Sequence, residues 1–144
     1  MSSLESRLNK VAFDIVESIN RIQDKNKKKK LFNLIDKSLG VLANDGVYAY
    51  CVYIMSQKSK EESEEVEIFL DKFEEIFNIV SSNDSDDNNF DSEPGNRLKY
   101  STDNRIAYFQ KVAGDLSRLL FLKDLMERIL IYARYHAKAM GDSE

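Results

Sequence analysis

The stretch Ser117 to Met140, SRLLFLKDLMERILIYARYHAKAM, sets the strongest limit on what this chain can become. Leu119, Leu122, Leu125, Met126, Ile129, Leu130, Ala133, Ala137 and Met140 recur at helical spacing and fall on one broad stripe at 3.6 residues per turn. Leu120, Phe121, Ile131, Tyr132 and Tyr135 fall outside that stripe, so the helix is apolar over most of its circumference. A helix of this kind is either central to its domain or touches a partner. Asp115 stands where an N-cap belongs and Gly141 where a left-handed residue past the helix end is wanted. At ~1.5 Å rise per residue the helix is ~36 Å long, enough to cross a small domain.

The rest of the chain repeats the same period in shorter pieces. Ser2 with Glu5 makes a capping box ahead of Leu4, Leu8, Val11, Ile15, Ile19 and Ile22. A loop around Gln23 to Asn26 is expected to lead through Lys27 to Lys30 into a second helix carrying Leu31, Leu34, Ile35, Leu39 and Leu42. Asn44-Asp45-Gly46 should close it sharply, because Asn and Gly tolerate the left-handed conformation that stops a helix. The apolar run Val47 to about Gln57 has valine and tyrosine enough for a strand, but an isolated strand has nothing to pair with, so it reads as a third helix. Ser59 and Glu62 form a second capping box before one amphipathic helix with Val66, Phe69, Leu70, Phe73, Ile76, Phe77 and Val80. Residues 81–96, SSNDSDDNNFDSEPGN, lack the apolar area to offset the entropy of ordering and are expected to be a mobile acidic loop. A fifth helix with Ile106, Phe109, Val112 and Ala113 should begin near Ser101 to Asn104 and end at Gly114-Asp115.

The expected fold is therefore all-α: one domain over residues 1–144, a bundle of about six helices closed by a long C-terminal one. One proline and five glycines in 144 residues fit that class. No run is apolar and long enough for a membrane span and no secretory leader is evident, so the expected location is cytoplasmic. The lone cysteine, Cys51, has no disulfide partner, which agrees with a reducing compartment.

Catalytic chemistry needs groups that can meet, and few are present. His136 is the only histidine, and it reads as a packed or hydrogen-bonding residue. Cys51, inside VYAYCVYIM, reads as a small buried hydrophobe. Asp84, Asp86 and Asp87 lack the glycine and closing glutamate of a calcium loop, and no glycine cluster opens a helix after a strand. The expectation is a protein that is not an enzyme, with no metal and no cofactor.

Charge is more informative. The net charge of −4 hides two basic ends around an acidic middle: residues 1–58 sum to +4, 59–96 to −11 and 97–144 to +3. Lys27, Lys28, Lys29 and Lys30, with Lys25, form one cluster able to grip phosphates or simply to be solvated. Arg97, Lys99 and Arg105, with Tyr100, form another. On the last helix Lys123 and Glu127, and Asp124 and Arg128, pair at i+4, whereas Arg134 has no acid within helical reach and Lys138 lies one turn further, near Asp142. Arg134, Lys138, Lys111 and Arg105 are thus expected to converge on phosphates or on neighbouring subunits, with Lys27 to Lys30 as a second contact. The acidic middle should turn away from any nucleic acid, since like charges repel within a Debye length of ~8 Å at physiological salt.

Three stretches resemble the small-subunit family of the type III-B CRISPR effector, the helical "subunit five" of the Cmr complex. They are SLESRLNKVAFDIVESI at the N-terminus, IDKSLGVLANDGVYAYCVYIMSQKSKE with its joint at Gly46, and SRLLFLKDLMERILIYARYHAKAM with Tyr132, Arg134, Tyr135, Ala137, Ala139 and Met140 near its end. The resemblance implies a noncatalytic protein of antiviral defence that stacks in several copies. It would dock on backbone and large subunits and line the channel where guide RNA pairs with target RNA. A small subunit of another class 1 CRISPR effector, or a purely structural helical adaptor without RNA contact, stays open beside it.

Overall fold

The computed structural model of the chain describes residues 3–61, 64–82 and 105–141, and every regular element among them is helical. Helix α1 (Leu4–Asn20) is capped by Ser3, whose Oγ accepts the Ser6 amide at 3.1 Å. The cap thus falls one residue later than the expected Ser2, which lies outside the described residues. Glu5 consequently sits in the first turn and turns to helix α7 instead of back to its own cap.

Helix α2 (Lys25–Asp45) starts earlier than expected, because the Asp24 carboxylate accepts the amides of Asn26 at 3.0 Å and Lys27 at 3.2 Å. Lys27 to Lys30 therefore belong to the first turns of the helix rather than to a loop. The helix ends at Gly46, whose amide donates to the Leu42 carbonyl at 3.0 Å. Its φ of +98° and ψ of −179° are the mirror image of extended backbone, a region open in practice only to glycine. The joint is as sharp as the sequence implies, but by that conformation and not by the left-handed helical one.

Helix α3 (Val47–Glu61) buries Val47, Tyr50, Cys51 and Ile54 at i, i+3, i+4 and i+7 and runs through Ser59, where the sequence placed the start of the next helix. The single amphipathic helix expected after it is broken into a 3₁₀ turn (Glu64–Glu67), helix α4 (Ile68–Asp71) and helix α5 (Glu74–Ser82). Its apolar residues are all buried as read, yet the ladder is interrupted for a visible reason. The Tyr50 hydroxyl donates to the Phe69 carbonyl at 2.6 Å, the acceptor that a continuous helix would offer to the Phe73 amide. That amide instead turns to Leu70 at 3.1 Å, and the Phe73 ring swings to stack on Tyr50 at 5.9 Å and 11°. The expected loop over 81–96 yields its first two residues to α5, and 83–96 lie outside the described residues.

Helices α6 (Arg105–Ala113) and α7 (Leu116–Ala139) meet at Gly114-Asp115 as expected. Asp115 caps α7 by accepting the Arg118 amide at 3.1 Å, and Gly141 follows its end at φ +76°. Helix α7 is the axis of the domain: it packs most extensively on α1 and α2 and also touches α3, α5 and α6. Leu122, Leu125, Met126, Ile129, Leu130, Ala133 and Ala137 form its buried stripe, while Leu120, Phe121 and Tyr135 stay exposed. Met140, expected on the stripe, is exposed as well, because the helix has ended before it. The aromatic centre, Tyr50, Phe73, Phe77, Tyr108 and Phe109, fills the other side of the core from α3, the turn between α4 and α5, α5 and α6. Its two hydroxyls are satisfied by carbonyls, Tyr108 donating to Phe77 at 2.9 Å.

Candidate nucleic-acid interface

The first half of α2 lies against the last two turns of α7, and this brings together residues about a hundred positions apart. Burial of Phe32 and Ile35 on one side and Ala137 on the other closes the base of a groove of about 180 Å³. Lys29 from α2 and Arg134 and Lys138 from α7 line it. Lys29 and Lys138 have no ion-pair partner among the described residues, and Asp142 lies outside them.

Arg134 differs from the expectation. It has no acid within helical reach along α7, but its Nε donates to Asp36 Oδ1 of α2 at 2.8 Å. Both side chains are largely in water, Arg134 at 43% and Asp36 at 64% exposure, so the pair is weak and exchangeable. Among the described residues the groove therefore holds three cations against one carboxylate and presents a net positive face.

On the other side of α2, between it and α3 and the 3₁₀ turn, lies a larger cleft of about 300 Å³. Lys27, Lys30 and Lys37 line it, and Asn33 lines both openings. Lys27 reaches Glu65 at 3.5 Å, an exposed pair of little energetic weight. Lys28 points elsewhere, donating to Asn20 Oδ1 at 3.4 Å.

Two of the expected contacts are corrected. Arg105 is buried, at 8% exposure, and its guanidinium donates to Glu67 at 2.7 Å and Asp71 at 2.8 Å, tying the start of α6 to the 3₁₀ turn and α4. A guanidinium already held by two carboxylates in the interior presents nothing to a phosphate. Lys111 is exposed but sits on α6, just ahead of the start of α7, so roughly 27 Å of helix separates it from Arg134. It cannot share a groove with Arg134 and Lys138.

Sequence reasoning missed Lys37, Asn33 and Asp36. Lys37 was legible, since Lys27, Lys30 and Lys37 follow one helical face at intervals of three and seven. Asp36 was not, because its meeting with Arg134 exists only in the folded chain.

The remaining titratable candidates have structural surroundings. His136 Nε2 lies 2.7 Å from Asn9 Oδ1, and the ring meets the edge of Phe13 at 5.6 Å. The neighbouring Tyr132 hydroxyl donates to Glu5, which also faces Arg128 at 3.5 Å. Cys51 is fully buried, and burial pushes its thiol up from 9.0 to about 11 against a small opposing effect of the Arg105 charge. Among the described residues no three His, Cys, Asp or Glu side chains gather as a metal site, and no helix is long and apolar enough to cross a membrane. No family model, no curated protein and no solved structure matches the chain.

Proposed function

We propose that this chain is a noncatalytic small subunit of a type III-B CRISPR RNA-guided effector, stacking with its own copies along the backbone subunits and helping to hold guide and target RNA. The observation that carries the reading is the groove between α2 and α7. Lys29, Arg134 and Lys138 come from the two basic ends of the chain and meet there, on a protein whose net charge is negative. Cations gathered on one face of an acidic protein serve phosphate contact better than general solubility. The three resembling stretches supply α1, α2 from Ile35 through its joint to α3, and α7; they include Asp36, Arg134 and Lys138 of the groove but not Lys29. Exposed Tyr48, Val52 and Met55, at i, i+4 and i+7 on α3, offer apolar area for docking on other subunits.

A second reading, a structural adaptor that never touches RNA, draws support from the Arg134–Asp36 pair, which already neutralises the one arginine lining the groove among the described residues. The two readings separate in one experiment. Tagged protein is recovered from its native cells, and what accompanies it is identified by mass spectrometry and RNA sequencing. Effector subunits with short repeat-derived RNAs support the first reading. If neither effector subunits nor such RNAs are recovered, the effector reading is overturned. If the subunits are recovered, Arg134→Glu in the same assembly should weaken RNA retention more at low salt than at high, because a lost phosphate contact makes the salt dependence shallower; retention indifferent to both salt and charge favours the adaptor.

A further inference from the structure

Tyr135 is 66% exposed, the most exposed aromatic side chain among the described residues. The hydroxyls of Tyr50, Tyr108 and Tyr132 all donate to partners, whereas Tyr135 makes no hydrogen bond and no ring contact among those residues. Exposure alone is not a signal, because single apolar side chains are common on protein surfaces. The position of this one is. Helix α7 turns by about 100° per residue, so Ala137 at the base of the α2/α7 groove is followed around the helix by Arg134, then Lys138, then Tyr135. The tyrosine is thus the outer neighbour of the two cations that α7 contributes to the groove, with Lys138 three residues away on the same surface. A helical side chain leans toward the N-terminus, here over the half-buried Ile131, and the exposed Ala139 one turn further on is too short to cover the ring.

Cations beside an open aromatic face select a chemistry. An inorganic anion would use the cations and leave the ring in water. A protein docking through apolar area would cover the ring and take the neighbouring cations out of water with it. A nucleotide strand uses both parts, its phosphates meeting Lys29, Arg134 and Lys138 and a base lying on the ring. Only an unpaired base has a face to give, since the bases of a duplex are stacked on one another.

We infer that Tyr135 is a stacking platform for an unpaired base of an RNA strand whose phosphates lie along the α2/α7 groove. The inference rests on the RNA-contacting reading above and adds that the contact includes a single-stranded nucleotide, held by its base as well as by its phosphate.

The test follows the ring signals of the full-length chain, isotope-labelled in its tyrosines, the Tyr135 signal being the one missing from Tyr135→Phe. A short mixed-sequence single-stranded RNA, the same RNA as a duplex, and inorganic polyphosphate are added separately. Expected is a saturable upfield shift of the Tyr135 ring with the single strand and none with the duplex or the polyphosphate. Tyr135→Phe should bind the single strand within about twofold of the native chain, whereas Tyr135→Leu and Tyr135→Ala should each weaken it about 5- to 150-fold, the range for one lost base stack. The slope of log affinity against log salt should stay unchanged in Tyr135→Ala and fall by about one in Arg134→Glu. Tyr135 is on the surface, so its variants should fold, and circular dichroism checks that they do. Several outcomes overturn the inference. An equal shift with polyphosphate makes the ring a reporter of charge in the groove. Native affinity in Tyr135→Leu makes the residue an apolar contact, as for a docked protein. Equal binding of single strand and duplex, or no shift with any probe, leaves the ring without a base. Failure of the phosphate contact shows separately, as an unchanged salt slope in Arg134→Glu, and the effector reading is decided by what is recovered with the protein from cells.

Discussion

Arg105 shows how a single side chain changes meaning between the sequence and the fold. Beside Arg97, Lys99 and Tyr100 it looks like part of a basic cluster, and nothing in its local sequence announces that Glu67 and Asp71 will lie 2.7 and 2.8 Å from it. Removing it takes a shared cation from two carboxylates. Arg105→Met should cost about 2 kcal/mol, less than the ~3–5 kcal/mol of a fully buried pair, because the partners keep part of their hydration. A lowered urea midpoint with unchanged slope is the expected measurement, and an unchanged midpoint would show the clasp to be energetically idle. The Cys51 thiol gives a second test at this scale. With its pKa raised from 9.0 to about 11 it stays protonated at neutral pH, so the native protein should not react with a thiol reagent at pH 8 and should react on unfolding. The sign for stability follows from the folded value lying above the unfolded one. This group's contribution is complete below pH 9 and is lost as pH rises toward 11, an effect that Cys51→Ala should remove.

Elements were legible in the sequence wherever one helix answers to its own residues. The α7 cap at Asp115, its buried stripe and the joint at Gly46 all depend on local chemistry, and they stand where the pattern puts them. The break between α4 and α5 depends on Tyr50, which lies about twenty residues away and takes a carbonyl from the ladder, and apolar spacing alone cannot report that. The start of α2 is a case between the two. Five lysines occupy its first six positions, at the positive pole of the helix dipole, with no acid in its first turn. Asp24 opposes them at the terminus itself, beside the Glu65 carboxylate that Lys27 reaches, and satisfies two amides besides. Asp24→Ala should therefore sit at the upper end of the usual range for a lost cap, about 2 kcal/mol, and the loss should shrink in ~0.5 M salt as the lysines are screened. A thermal melt at two ionic strengths measures both. A salt-independent loss would show that the lysines do not strain this terminus.

At the scale of the whole molecule the basic ends were legible as charge, and their partial union in the α2/α7 groove depends on how those helices pack. Lys29, Arg134 and Lys138 could be proposed from the sequence because none is paired within its own helix; Lys111 could not be separated from them without knowing which end of α7 it occupies. Asp36 is the residue on which the groove's electrostatics turn. It is largely exposed, so its pair with Arg134 contributes no more than about 1 kcal/mol to folding, and Asp36→Asn should leave the melting temperature nearly unchanged. The same substitution removes the one carboxylate that lines the groove among the described residues and releases the Arg134 guanidinium for a phosphate. RNA affinity should rise, and the slope of log affinity against log salt should steepen by about one, as for one added phosphate contact. Arg134→Glu should move both quantities the other way. The pair of variants separates the readings more sharply than either alone. If the groove only bridges helices, Asp36→Asn and Arg134→Glu both lose the same ion pair and shift binding alike or not at all. If the groove meets RNA, a change that disrupts that pair strengthens binding in one case and weakens it in the other.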